Sequence, residues 1–175
     1  TIRSLIADDH HVVRRGLRFF LDMQSDIEII GEATDGQDAI DKVNTLHPDV
    51  VLMDLVMPTM DGIEATKKIR ENNQTIKILI LTSFSDQDHV IPAIRAGANG
   101  YQLKDIEPDE LVKTIKAVYS GQSQLHPQVT HHVLTHMSGG REENLLDTLT
   151  KREKEVLLEI TNGKSNKEIA VTLFI

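Results

Sequence analysis

The sequence predicts a doubly wound α/β domain followed by a small all-α unit, and three observations carry that expectation. Over residues 1–119, short runs rich in Val, Ile and Leu alternate five times with segments of helical period. The middle runs are apolar almost throughout, as strands covered on both faces are. Strand alternating with helix implies βαβ units with right-handed crossovers, and hence a five-stranded, mostly parallel sheet.

The strands are expected at residues 5–7, 27–30, 50–53, 76–81 and 100–103, with helices at 11–22, 35–46, 62–70, 86–96 and 108–119. On the first helix, Val13, Leu17, Phe20 and Leu21 share an apolar arc that faces the sheet. Val12, Phe19 and Met23 fall on a second arc, about 130° from the first at 100° per residue. That second stripe is a candidate dimer contact, weighed against a simple widening of the buried face. Residues 120–147 are polar, hold His126, His131, His132 and His136, and include Ser138-Gly139-Gly140; they are expected to be a linker with one short helix near 129–137. His132 and His136 have the i, i+4 spacing that chelates metal on a helix, but no acidic or cysteine partner matches it, so a solvated face is expected. Residues 148–175 contain Thr150-Lys151-Arg152-Glu153 and Ser165-Asn166-Lys167-Glu168, both of capping-box form. Asn162-Gly163-Lys164 lies between them, so this part reads as two short helices joined by a tight turn, of helix-turn-helix type.

Composition narrows the function. The chain has 175 residues, no cysteine and a formal net charge of −8. Without cysteine there is no disulfide scaffold, no thiol catalysis and no cysteine zinc site, and a reducing cytoplasm fits. No apolar run approaches the roughly 20 residues of a membrane span, and the N-terminus has no signal-peptide core. Residues 1–119 carry 13 basic against 20 acidic side chains, and residues 120–175 carry 6 against 7. Neither part is a basic nucleic-acid platform as it stands.

Ligands of parallel sheets bind beyond the carboxyl ends of the strands. Asp8 and Asp9 follow the first expected strand, Asp54 follows the third, Thr82 ends the fourth, and Lys104 follows the fifth. In a sheet of order 2-1-3-4-5 the first and third strands are neighbours, so three carboxylates converge. Two like charges about 4 Å apart repel by roughly 4 kcal/mol at an effective dielectric near 20. A hard divalent cation with oxygen ligands, Mg²⁺ above all, relieves that crowding. A carboxylate, a metal, a lysine and a hydroxyl around one space are the parts of phosphoryl transfer onto an aspartate. The competing reading is that each aspartate merely caps the next helix. His10 and His11 are expected at the rim.

Asp8-Asp9, Asp54-Leu55-Val56-Met57-Pro58 with Asp61-Gly62, Leu81-Thr82-Ser83-Phe84, and the stretch from Gly97 to Lys104 closely resemble the receiver domain of bacterial response regulators. Thr82 and Lys104 lie 28 and 50 residues beyond Asp54, spacings that agree with the same family. Residues 149–157 and 163–170 resemble the opening of a LuxR-type helix-turn-helix, and the whole resembles the NarL/FixJ class of transcription regulators. The resemblance implies a receiver over 1–119, a linker over 120–147 and the start of a DNA-binding domain over 148–175. It implies Asp54 as phosphoacceptor, Asp9 as the main metal ligand, Asp8 assisting through water, and the backbone carbonyl of Val56 completing the protein ligands of Mg²⁺. Lys104 is then the partner of the phosphoryl group, Thr82 its hydroxyl donor, and Tyr101 the ring that changes rotamer on activation. Asp105 departs from the proline many receivers carry after the lysine.

The implied partners are a sensor histidine kinase, a second copy of the chain on phosphorylation, and DNA for the intact protein, with no membrane. Residues 165–173 would be the positioning helix, with the reading helix beyond Ile175 and Lys164 and Lys167 as candidate phosphate contacts. Two alternatives stand beside this reading. One is a phosphorylation-gated interaction module without DNA binding. The other is a phosphoaspartate-forming phosphatase of haloacid-dehalogenase type, although Asp54-Leu55-Val56 lacks the second acid of its Asp-x-Asp motif.

Overall fold

The computed structural model describes residues 1–139. β-Branched and leucine-rich runs form β1 (Ile2–Ala7), β2 (Ile27–Ala33), β3 (Val50–Met53), β4 (Lys77–Thr82) and β5 (Gly100–Leu103). Between them lie α1 (His11–Leu21), α2 (Gly36–Leu46), α3 (Gly62–Asn72) and α4 (Gln87–Ala96), and α5 (Pro108–Tyr119) follows β5. A sixth strand, β6 (Gln124–Leu125), and a helix, α6 (Pro127–Gly139), come after. All pairings are parallel, in the order β2-β1-β3-β4-β5-β6. The doubly wound reading holds, with one correction: the sheet has six strands, not five. β6 lies in the stretch expected to be linker, where Gln124 pairs with Gly100 and Leu125 with Tyr101.

β3 is buried along its whole length, and β4 at every position but Lys77, which explains their unbroken apolar character. One core joins alternate strand residues (Ile2, Ile6, Val50, Leu52, Leu79, Leu81) to Leu21 of α1 and Leu111, Ile115 and Val118 of α5. Helices α2, α3 and α4 pack side by side over the other face. Asp35, Asp61 and Asp86 each accept a backbone N–H three residues on, and so start α2, α3 and α4 by side-chain capping.

The chain divides at His126, with residues 1–126 forming one unit. Of the second unit α6 is described; it is longer than the helix expected over 129–137. Among the described residues no helix is long and apolar enough to cross a membrane. Lys164, Lys167 and the expected helix-turn-helix lie outside the described residues.

Candidate phosphoacceptor site

β1 and β3 are neighbours with Ala7 opposite Met53, so the residues that follow them, Asp8 and Asp54, leave the sheet side by side. The Asp54 amide donates to the Ala7 carbonyl at 2.9 Å, and the Asp8 amide to Ala33 at 3.0 Å. Gly62 fixes the next turn: its amide donates to Leu55, and a Cβ there would lie 2.0 Å from the Asp54 carbonyl oxygen. Only glycine allows that approach. The Lys104 amide donates to the Thr82 carbonyl at 2.8 Å, which brings the end of β5 to the same edge.

Both carboxylates are nearly sealed from water, Asp8 at 3% and Asp54 at 4% exposure. Lys104 Nζ bridges them, 2.7 Å from Asp8 Oδ2 and 2.9 Å from Asp54 Oδ2. Burial depresses the Lys104 pKa, but the hydrogen bonds and charges of Asp8 and Asp54 outweigh it, and the ammonium is held above its ordinary value. Asp105 does not prevent this reach. Ligand atoms of Asp8, Asp9, His10 and Asp54 all lie within 4.8 Å of one another. His10, expected at the rim, is half in the cluster: its amide donates to Asp8 Oδ1 at 2.8 Å, and its ring Nδ1 lies 3.2 Å from Asp8 and 3.1 Å from Asp9.

The helix-cap reading of these aspartates is not what the geometry shows. The α1 N-cap is His10, which makes no side-chain capping bond, and the Asp54 carboxylate is turned to Lys104. Three carboxylates, buried at Asp8 and Asp54 and exposed at Asp9, stand against one ammonium and leave two formal negative charges at the sheet edge; their oxygens are the hard donors that Mg²⁺ takes.

Thr82 is fully buried, and its Oγ1 has no hydrogen-bond partner among the described residues. Tyr101 is fully buried too, so its hydroxyl is not wet as an ordinary edge residue's would be; it donates to the Phe84 carbonyl. Burial first, and then the charges of Asp86 and Asp54, push the Tyr101 pKa well above its usual range. Val56 sits two residues past Asp54 on the exposed part of the loop. Val12 and Phe19 on α1 and Met23 in the turn just after it are 82%, 73% and 61% exposed, so this stripe does not widen the buried face. Arg14 went unnoticed in the sequence. It is buried, donates to the Asp8 carbonyl at 2.8 Å and pairs with Glu32 at 3.0 Å.

The response regulator receiver domain family matches residues 4–116, on which this site lies. The chain belongs to the bacterial response regulators. A second match, over residues 147–175, is to the luxR family of bacterial regulatory proteins. Transcriptional regulatory protein YhcZ of Bacillus subtilis is 55% identical over 99% of this chain and 82% of its own length. Transcriptional regulatory protein LiaR of the same organism is 49% identical over 99% of this chain and 83% of its own. The crystal structure of a LuxR-family two-component response regulator from Aurantimonas sp. SI85-9A1 superposes with a TM-score of 0.73 at 34% identity, covering 82% of this chain and 99% of that one. The response regulator is thus a receiver joined to a LuxR-type DNA-binding domain, and its relatives are transcriptional regulators.

Proposed function

We propose that Asp54 is the phosphoacceptor, taking its phosphoryl group from the phosphohistidine of a sensor histidine kinase. The observation that supports this most is the Lys104 ammonium held between the Asp8 and Asp54 carboxylates at one sheet edge. An Asp54 oxygen forms the new O–P bond as the donor's P–N bond breaks, and the electron pair leaves on the imidazole. Asp9, Asp54, Asp8 and the Val56 carbonyl are the groups that would hold Mg²⁺. When bound, Mg²⁺ neutralises the phosphoryl oxygens and favours in-line attack. Lys104 takes the remaining oxygen charge, and the unpartnered Thr82 hydroxyl swings to donate to the phosphoryl group. Beyond this self-phosphorylation and a slow self-dephosphorylation, no catalysis is proposed.

The output follows from the local charge. Tyr101 is already inward with its hydroxyl on the Phe84 carbonyl, so drawing Thr82 forward favours a rotamer that the ring holds at rest. Phosphorylation therefore biases an existing arrangement rather than creating one. A homodimer through the exposed face of α1 then presents paired DNA-binding domains, with Lys164 and Lys167 as phosphate contacts and a cytoplasmic site of action. Asp54→Asn should abolish acid-labile labelling by a small phosphodonor such as acetyl phosphate, measured by phosphate-affinity electrophoresis; persistence of the label would reject the assignment.

A further inference from the structure

We infer that Arg14 is a positioning residue for the metal-binding turn, acting through the Asp8 main chain; the inference rests on the phosphoryl-transfer reading above. The last register pair between β1 and β2 is Ala7 with Ala33, so the Asp8 carbonyl emerges beyond the ladder. It is a backbone acceptor beside a buried side chain, and a carbonyl left unmatched there is costly. Arg14 answers it. Its side chain runs back from the first turn of α1, as long helical side chains do, and Nη1 donates to the Asp8 carbonyl at 2.8 Å.

The guanidinium is itself held. Nε donates to Glu32 Oε2 at 3.0 Å, and the other Glu32 oxygen accepts from Arg18 at 3.0 Å. Asp8 is thereby fixed at its amide by Ala33, at its carbonyl by Arg14 and at its carboxylate by Lys104. Asp9, the next residue, has far less support of its own. Its side chain is about a third exposed and touches the His10 ring. The direction in which Asp9 leaves the turn therefore depends on the clamp at Asp8. Arg14 touches neither Asp54 nor any carboxylate of the pocket in this geometry, so its effect belongs to the binding of the cation and not to the transfer step.

Electron paramagnetic resonance titration of the full 175-residue chain with Mn²⁺ tests this, alongside thermal unfolding without metal. Arg14→Gln should raise the Mn²⁺ dissociation constant about tenfold, as removal of an outer-shell partner does. Arg14→Lys, which can still donate to the carbonyl, should recover most of that loss. Labelling of Arg14→Gln by acetyl phosphate should return to the wild-type rate at saturating Mn²⁺. A folded Arg14→Gln chain that binds Mn²⁺ like wild type, or one whose labelling stays slow at saturation, overturns the inference. Should Arg14→Gln fail to fold, Glu32→Gln keeps the guanidinium but loosens its anchor, and a smaller rise in the same direction is expected; unchanged affinity there overturns the inference equally. A wild-type chain that binds no Mn²⁺ overturns the phosphoryl-transfer reading itself, and this one with it.

Discussion

Thr82 has a hydroxyl that is a burden in the resting molecule. It is sealed from water and has no partner among the described residues, a state that costs about 1–3 kcal/mol. Thr82→Val keeps the β-branched shape and removes the orphan. It should raise stability by about 1 kcal/mol in denaturant unfolding while weakening phosphorylation-dependent dimerisation. A variant less stable than wild type would mean that the hydroxyl has a partner at rest. At this scale the acids and Lys104 were legible because each stands directly after an apolar run, and the positions of the runs locate the sheet edge. Arg14 was not. A lone arginine on a helix reads as a solvated cation, and Glu32, 18 residues away, shares no local pattern with it. His10 was legible only as a neighbour, since its three contacts to the acids depend on the turn.

α1 is an element with two apolar faces, and only one is used inside the receiver. Leu21 is buried and Leu17 and Phe20 pack on the core, whereas Val12 and Phe19 face outward, as does Met23 in the turn after the helix. Exposed apolar stripes of this kind mark contacts with other chains. Phe19→Glu should weaken the phosphorylated dimer in sedimentation velocity without slowing labelling of Asp54; unchanged sedimentation would remove α1 from the interface. Helical periodicity makes both faces readable in the sequence alone. β6 was not readable, because two residues in a polar stretch have no period. It pairs because β5 lies alongside, and Gly100, whose Cβ would meet the Gln124 carbonyl at 2.9 Å, lets the chains approach. Element ends shifted by a few residues elsewhere: β2 runs on to Ala33 and β1 begins at Ile2, where sheet pairing extends strands past their apolar cores.

At the scale of the whole molecule, the Glu32 carboxylate ties α1 to β2 through Arg14 and Arg18, and the pH dependence of that pairing has a definite sign. Burial raises the pKa of Glu32, but Arg18 and Arg14 outweigh it and hold the carboxyl below its ordinary 4.5. A group depressed in the folded state stabilises above its unfolded value and ceases to do so as pH falls through the folded one. Glu32→Gln should therefore be less stable than wild type at neutral pH, and the gap should close on acidification below 4.5; a gap that persists in acid would show that the carboxylate charge is not what Arg14 and Arg18 hold.

The larger claim is that the same edge stores one phosphoryl group on one side chain. Borohydride reduction of the chain after treatment with acetyl phosphate and Mg²⁺, followed by peptide mass mapping, reads the acceptor directly. The account predicts homoserine in place of aspartate at position 54 and nowhere else; homoserine at position 8 or 9, or none at all, would contradict it.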